Sequence, residues 1–542
     1  MGLKKCCFFI LIAMLPYYSS ANNYYAATWV NSSTPIGVTL SHQDAITSLY
    51  HEYQYQPIWF QYDAIIAFES QLENLALSDV SELFYKRLMA LKEARYHNRW
   101  QEFDVLATDT LLNYISYTEL AQSMGKGWFF GGRVPATLPL PSEINLNAFR
   151  VALSQDKLVE FISSLAPQSP LYSNYQFAIR ELKPWLNIYL SDYTQKRRYA
   201  RRGDKLSHKR VLLNRLEVLR YDVSSVDLST QNNADKRYDA NLEVLIKQFQ
   251  TQHGLDPDGI IGPKTIKWIN VSIEERLRLI ALNAQRLRIW PLQRDRIVLV
   301  NVPQYSMSYW LDGKETFSSD VIVGRPSRKT PLIDTRMDSV IVNPSWNVPR
   351  KIMERDILPK VINEESYLTS HNYEIVESWH NRTLIDPKEI DWASIDPKQF
   401  PYRMRQTSGP FNALGRYKFN TPNKNAIFLH DTPAKSLFTQ SRRAFSSGCI
   451  RIESAENFAH LLLNTHSKMR PSHHERISRE ETVAVALKER IPVSIIYQTV
   501  WTENGQVQYR SDVYKYDQLS RSSNFDAKLT NLINLNKNLS AQ

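Results

Sequence analysis

Phe445-Ser446-Ser447-Gly448-Cys449-Ile450-Arg451 is the stretch on which the reading of this chain turns. The sequence of 542 residues holds three cysteines. Cys6 and Cys7 fall in a leader-like N-terminus, so Cys449 is the thiol a processed chain keeps. A lone thiol in an exported protein has no internal disulfide partner. It pairs between molecules, lies inert in a core, or reacts. Gly448 permits a sharp turn and close backbone approach to a substrate. The backbone N–H groups around Ser447 and Gly448 are candidates for an oxyanion hole, where one donor is worth a factor of about 10²–10³ in rate. Nineteen residues upstream, Ala426-Ile427-Phe428-Leu429-His430-Asp431 puts His430 at the end of an apolar run that reads as a strand. A thiol needs a nearby base to become a thiolate at neutral pH. The two segments together predict a cysteine acyl-transfer enzyme, with Cys449 as nucleophile and His430 as proton donor and acceptor. Arg451 lies two residues beyond Cys449 and on a strand would share its face. It either binds a carboxylate of the substrate or stabilises the backbone of the site.

Outward from this core the pattern is mostly β. Residues 297–302, 306–311, 319–324 and 338–343 are short runs of β-type residues broken by turns, and strand signals return at 426–429 and 447–452. Residues 453–463 read as a helix. Asn504-Gly505 between two β-type runs is a strong hairpin signal. Residues 351–406 break the pattern, being longer and more polar, and are read as an insertion that folds over the site as a lid. Trp346, Asn347 and Arg405 at its borders are candidates to shape the donor or acceptor groove, with core packing as the alternative for Trp346.

Upstream the chain is helical. Residues 65–85 and 88–112 carry apolar residues at helical spacing and predict a scaffold with no catalytic constellation. The basic run 196–205 is read as a solvated linker or a wall-facing patch. Residues 206–270 look like a small autonomous module. A helix over 241–252 is followed by the turn-rich stop His253-Gly254-Leu255-Asp256-Pro257-Asp258-Gly259, and Pro263 opens another helix. The glycines are expected to take positive φ in tight turns.

Residues 1–21 have the parts of a secretory signal: Lys4 and Lys5, an apolar run, then Ser19-Ser20-Ala21. An exported, periplasmic protein is expected, with a retained inner-membrane anchor as the alternative. The net charge of +11 suits an anionic envelope polymer or a membrane surface. No nucleic-acid partner is expected of an exported chain. Neither a metal nor a cofactor is expected. There is no cysteine cluster and no phosphate loop, and His473-His474-Glu475 lacks a second histidine at helical spacing.

The segment around Cys449 resembles the L,D-transpeptidase catalytic domain, the YkuD fold, whose signature is a histidine, a spacer and then Ser-His-Gly-Cys. His430 and Ser446-Ser447-Gly448-Cys449 match it in type and spacing, but Ser447 stands where that family usually carries histidine. The stretches Gly324-Arg325-Pro326, Asn343-Pro344-Ser345-Trp346-Asn347-Val348-Pro349, Asn412-Ala413-Leu414-Gly415-Arg416 and Lys418-Phe419 extend the resemblance. Phe249-Gln250, Gly254-Leu255, Asp258-Gly259, Gly262 and Thr265 resemble the three-helix peptidoglycan-binding domain. The layout is similar to the large YcbB-type enzymes.

The resemblance implies a multidomain α+β protein: a signal peptide (1–21), a helical scaffold (22–205), a three-helix peptidoglycan-binding domain (206–271), a scaffold-return helix (272–292), a mostly-β catalytic domain (293–500) with its capping insertion (about 351–406), and a C-terminal hairpin and polar tail (501–542). It also implies the reaction. Cys449 attacks the carbonyl of the third stem residue of a peptidoglycan tetrapeptide, expels D-Ala and passes the acyl group to another stem's amine, giving a 3→3 cross-link. Transfer to water would make a carboxypeptidase, and transfer to a lipoprotein amine would tether that protein. A catalytically degenerate wall-binding scaffold is the remaining alternative. Peptidoglycan stems and glycan are the implied partners, other wall-synthesis enzymes are further candidates, and carbapenems are the expected acylating drugs.

Overall fold

A computed structural model describes residues 26–226, 237–467 and 481–540. The leader, residues 227–236 of the small module and His473-His474-Glu475 lie outside the described residues. Among the described residues no helix is long and apolar enough to cross a membrane. The chain divides into two compact units, one of residues 1–290 with 500–542, the other of residues 291–499.

The first unit is helical. The two predicted helices resolve into three, Tyr62–Leu77, Glu82–Tyr96 and Trp100–Phe129. The breaks fall at Asp79 and Asn98, with φ of 58° and 53°. This left-handed conformation is one that Asp and Asn tolerate better than most residues, and a period count does not see it. The small module has the three helices Lys209–Val218, Ala240–Gln252 and Pro263–Ile269. Gly254 and Gly259 take φ of 62° and 72°, as expected of turn glycines. Gly262 instead caps the third helix at φ −106°, so its small size, not a left-handed turn, is what the site uses. A Cβ there would lie 3.1 Å from the Tyr199 ring.

The basic run is not a free linker. Ala200 exchanges two backbone hydrogen bonds with Ile261, and Gly203 N–H donates to the Tyr238 carbonyl. The module's core reaches back to Ala200 and Tyr193, ahead of the expected boundary at 206. The C-terminal stretch is likewise no loose tail. Helix Phe525–Ser540 buries Leu529 and Leu532, and Lys528 Nζ lies 3.3 Å from Asp79, which is 2% exposed.

The second unit is a β-barrel with a helix packed against it. In chain order its strands are β1 (Arg296–Asn301), β2 (Ser306–Leu311), β3 (Lys314–Gly324), β4 (Asp334–Val342), β5 (Trp346–Asn347), β6 (Tyr373–Val376), β7 (Leu384–Ile385), β8 (Arg403–Gln406), β9 (Tyr417–Asn420), β10 (Leu429–His430), β11 (Ala444–Ser446), β12 (Ile450–Ile452) and β13 (Val483–Ile496). The main sheet runs β11-β3-β12-β10-β9-β4-β13-β1-β2, and a β2–β3 pairing closes it. Closure leaves few free edges. Helix Ala455–His466 fills one side, and its Phe458 ring sits 5.1 Å from Phe317 and 4.9 Å from Phe419. The same face of β10 and β12 buries Leu429, Ile450 and Ile452. That fixes the register and turns His430 and Arg451 to the opposite face.

Residues 346–406 build a second sheet, β5-β8-β6-β7, over their own core of Met353, Ile357, Leu358, Val361, Leu368 and Met404. The insertion therefore begins at Trp346, earlier than the expected 351, because β5 pairs with β8. The hairpin predicted at Asn504-Gly505 is present as β14 (Val500–Glu503) and β15 (Gln506–Tyr509), with φ of 49° and 74° at its two turn residues.

Asp79 accepts from Ser522 Oγ at 2.8 Å and from Arg133 at 3.1 Å, besides its contact with Lys528. Asp79→Ala removes the acceptor shared by Ser522, Arg133 and the buried Lys528, which keeps Glu82 as its remaining carboxylate. It is expected to lower stability by about 1–3 kcal/mol, read as an earlier urea midpoint of the scaffold unit.

Candidate active site

Cys449 does not lie within a strand, as the sequence suggested. It ends the turn between β11 and β12, because Gly448 at φ +129° breaks the strand. A Cβ at Gly448 would also stand 3.3 Å from Ile427. Three hydrogen bonds hold the turn. Thr330 Oγ1 donates to the Gly448 carbonyl at 2.8 Å. Ser446 Oγ donates to the Cys449 carbonyl at 2.6 Å. Gly448 N–H donates to Ser446 Oγ at 3.1 Å.

The last bond corrects one expectation. The Gly448 amide faces into the turn and is occupied, so it is not an oxyanion donor in this conformation. The amides of Ser447 and Cys449 have no protein partner among the described residues and remain the backbone candidates.

β10 runs parallel to β12, with His430 opposite Arg451 and Leu429 opposite Ile450. The Ile450 N–H donates to the Phe428 carbonyl at 3.1 Å, which places Cys449 beside Phe428 and one diagonal step from His430. His430 is 5% exposed. Its Nδ1 lies 2.5 Å from the Asp431 carbonyl. A carbonyl only accepts, so Nδ1 carries the proton and Nε2 is left with its lone pair. The thiol itself points at the Ala426 carbonyl, 3.8 Å away. Catalytic hydrogen bonds are often loose before substrate arrives.

The charges on this face favour negative and oppose positive. Burial pushes the His430 imidazole down to about 3, Arg451 adds to the depression, the bond to Asp431 opposes it, and Lys418 lowers it further. Burial also raises the Cys449 thiol above its ordinary range, against the pull of the Phe428 backbone, Lys418 and Arg451. At neutral pH the resting pair is a neutral thiol and a neutral imidazole. Burial of the ring and the two neighbouring cations disfavour a stored thiolate–imidazolium pair, where the sequence led to a thiolate. Lys418 is a residue the sequence reading quoted as a match and gave no role. It stands opposite His430 on β9, 4.4 Å over the Phe428 ring.

The other candidates separate. Arg451 lies opposite His430 on β12; the expectation that it shares a strand face with Cys449 does not apply, because Cys449 lies in the turn before that strand. Ser447 Oγ accepts from Arg328 at 2.9 Å and from Arg325 at 3.2 Å. Trp346, Asn347 and Arg405 lie on the insertion's sheet instead. Trp346 packs on the insertion's core, which is the packing alternative, and Asn347 pairs with Arg405 in that sheet. Arg405 Nη2 is held 2.5 Å from Glu374, so its charge is already matched. A polar cleft of about 850 Å³ opens beside Asp431, lined by Arg416, Lys435, Glu453 and Glu456, and it includes neither Cys449 nor His430. Among the described residues no group of three or more metal-ligating side chains is present.

Residues 295–471 match the model of the L,D-transpeptidase catalytic domain, YkuD. Residues 44–178 match a scaffold domain, and residues 210–269 match the model described as "Putative peptidoglycan binding domain". A Haemophilus influenzae protein named "Putative L,D-transpeptidase" is 28% identical over 493 residues, which is 89% of this chain and 82% of that one. Among solved structures, L,D-transpeptidase 3 from Mycobacterium tuberculosis aligns at 13% identity over 37% of this chain and 61% of its own, less than two thirds of its length, with a TM-score of 0.19. An L,D-transpeptidase from Xylanimonas cellulosilytica aligns at 13% identity over 56% of this chain and 100% of its own, with a TM-score of 0.18. Scores this low carry no argument. The chain thus joins a YkuD L,D-transpeptidase catalytic domain to scaffold and peptidoglycan-binding domains, in the YcbB-type layout.

A neutral thiol ionises with pH without a plateau. Below its raised pKa, the rate of Cys449 alkylation by iodoacetamide is expected to climb about ten-fold per pH unit from pH 6 to 8. A stable thiolate–imidazolium pair would make that rate flat across the same range.

Proposed function

We propose that this chain is a wall enzyme, acting outside the cytoplasm, that forms 3→3 cross-links between peptidoglycan stem peptides through a thioester on Cys449. The observation that supports the reading is that the turn ending in Cys449 leads into β12, which pairs with β10 and so brings the thiol one diagonal step from a singly protonated His430. His430 Nε2 takes the thiol proton as sulfur attacks the carbonyl carbon of the third stem residue. The proton is not stored on the ring, which burial and Arg451 keep neutral. It passes on to the departing D-Ala nitrogen as the C–N bond breaks. Arg451 and Lys418 favour the negative charge that moves from sulfur to carbonyl oxygen, and the Ser447 and Cys449 amides would donate to that oxygen. The acceptor amine then attacks the thioester, gives its proton to His430, and the sulfur leaves and takes that proton back. The peptidoglycan-binding module supports a wall substrate, since it would raise the local concentration of stems at the site.

Purified protein incubated with tetrapeptide muropeptides is expected to give 3→3 dimers and free D-Ala by mass spectrometry. Release of D-Ala without dimers would make the chain a carboxypeptidase. Cys449→Ala is expected to abolish both products and the covalent imipenem adduct. His430→Ala is expected to slow acylation on the order of 10²–10⁴-fold, the range for a lost general base. An imipenem adduct that persists in Cys449→Ala would overturn the assignment of the nucleophile.

A further inference from the structure

The loop after β3 brings two guanidinium groups to the turn that carries the nucleophile. Its backbone is bonded there, with Arg325 N–H donating to the Ser446 carbonyl at 3.0 Å and Arg328 N–H to the Arg325 carbonyl at 2.8 Å. Both side chains donate to Ser447 Oγ, two residues before Cys449. Their anionic partner comes from the insertion. Asp356 forms a close ion pair with Arg328, with a second contact of 3.0 Å. It is only loosely matched to Arg325, 3.8 Å away. Arg325 Nε is buried without a partner. One carboxylate therefore serves two guanidiniums, and one of those has unused donors. Two forked donors facing one anion make a site for a carboxylate.

We propose that Arg325 and Arg328 form the pocket for the C-terminal carboxylate of the donor peptide, and that Asp356 occupies this pocket until the peptide displaces it. This rests on the acyl-transfer reading and deepens it. The leaving residue is the last of the donor stem, so its carboxylate lies within one residue, about 3.8 Å between Cα atoms, of the carbonyl that Cys449 attacks. A pocket of this kind selects a free chain end over an internal peptide bond. Displacing Asp356 also releases the insertion from the nucleophile turn, which couples donor binding to movement of the insertion. Ser447 has a part in this arrangement that an imidazole would not fill in the same way: its small hydroxyl accepts from both guanidiniums and holds their forks side by side.

The test uses the full chain carrying Cys449→Ala, titrated calorimetrically with a tetrapeptide stem and with its C-terminal amide. The amide is expected to bind on the order of ten-fold or more weakly, the loss that follows when a charge-assisted pair goes unmade. Arg328→Gln is expected to erase the difference between the two peptides. Asp356→Asn is expected to tighten binding of the acid several-fold and leave the amide unchanged, because it removes the competitor. Arg328→Lys, which keeps the charge and loses the fork, is expected to fall between. Equal binding of acid and amide, or weaker binding of the acid by Asp356→Asn, overturns the proposal. Acylation of the unmodified chain by the tetrapeptide is followed in parallel by intact mass and D-Ala release. Acylation together with equal affinities retires the carboxylate pocket and leaves the acyl-transfer reading standing. Neither adduct nor D-Ala with any peptide retires both.

Discussion

The Thr330 hydroxyl, fully buried, accepts from Gly324 N–H at 2.8 Å and donates to the Gly448 carbonyl at 2.8 Å. That one oxygen ties the end of β3 to the turn that presents Cys449. Gly324 has to be glycine, since a Cβ would fall 2.2 Å from the Arg328 carbonyl. The loop thus folds tightly back on the strand end and carries Arg325 and Arg328 along the nucleophile turn. A buried hydroxyl with both roles filled has one low-energy orientation. Position and charge of the site are set together by a residue buried behind the turn.

The electrostatic design follows from what surrounds that turn. Lys418 and Arg451 flank the pair, and both favour a negative sulfur and disfavour a positive ring. An ion pair stored at rest would expose a reactive thiolate to any electrophile. A neutral pair becomes nucleophilic when a bound carbonyl gives the charge somewhere to go. The hydrogen bond from Nδ1 to the Asp431 carbonyl secures the tautomer without a carboxylate partner. A carboxylate there would have raised the imidazole's basicity and favoured the ion pair.

The sequence was most informative where a residue type has one physical use. The hairpin at Asn504-Gly505 and the turn glycines Gly254 and Gly259 were legible because each answers to a local rule. The alternation of apolar residues also located β1, β2 and most of β3. What escaped depends on distant pairing. Trp346 and Arg405 looked like groove residues because they flank an insertion, yet pairing of β5 with β8 makes them part of its sheet, and Glu374, thirty-one residues from Arg405, takes its charge. The occupied Gly448 amide depends on which way a turn faces, and no spacing encodes that. Lys418 lay in a quoted motif, but its place opposite His430 comes from the register of β9 on β10. The last helix looked like a polar tail because asparagines and lysines are interleaved with its apolar residues, and the acid that holds it, Asp79, lies far upstream.

That last helix has a consequence for how the molecule is made. The scaffold unit is assembled from both ends of the chain, with the whole barrel threaded between residues 290 and 500. A chain emerges from the ribosome N-terminus first, and its domains tend to fold as units in that order. Here the earliest segment cannot finish. The surface awaiting Leu529 and Leu532 stays open, and Asp79 stays without Lys528, until residues 525–540 have been made. The barrel is contiguous in sequence and can close before the helical unit that precedes it is complete. During that interval the nascent scaffold carries an uncovered apolar strip, and a holding chaperone would find its natural client there.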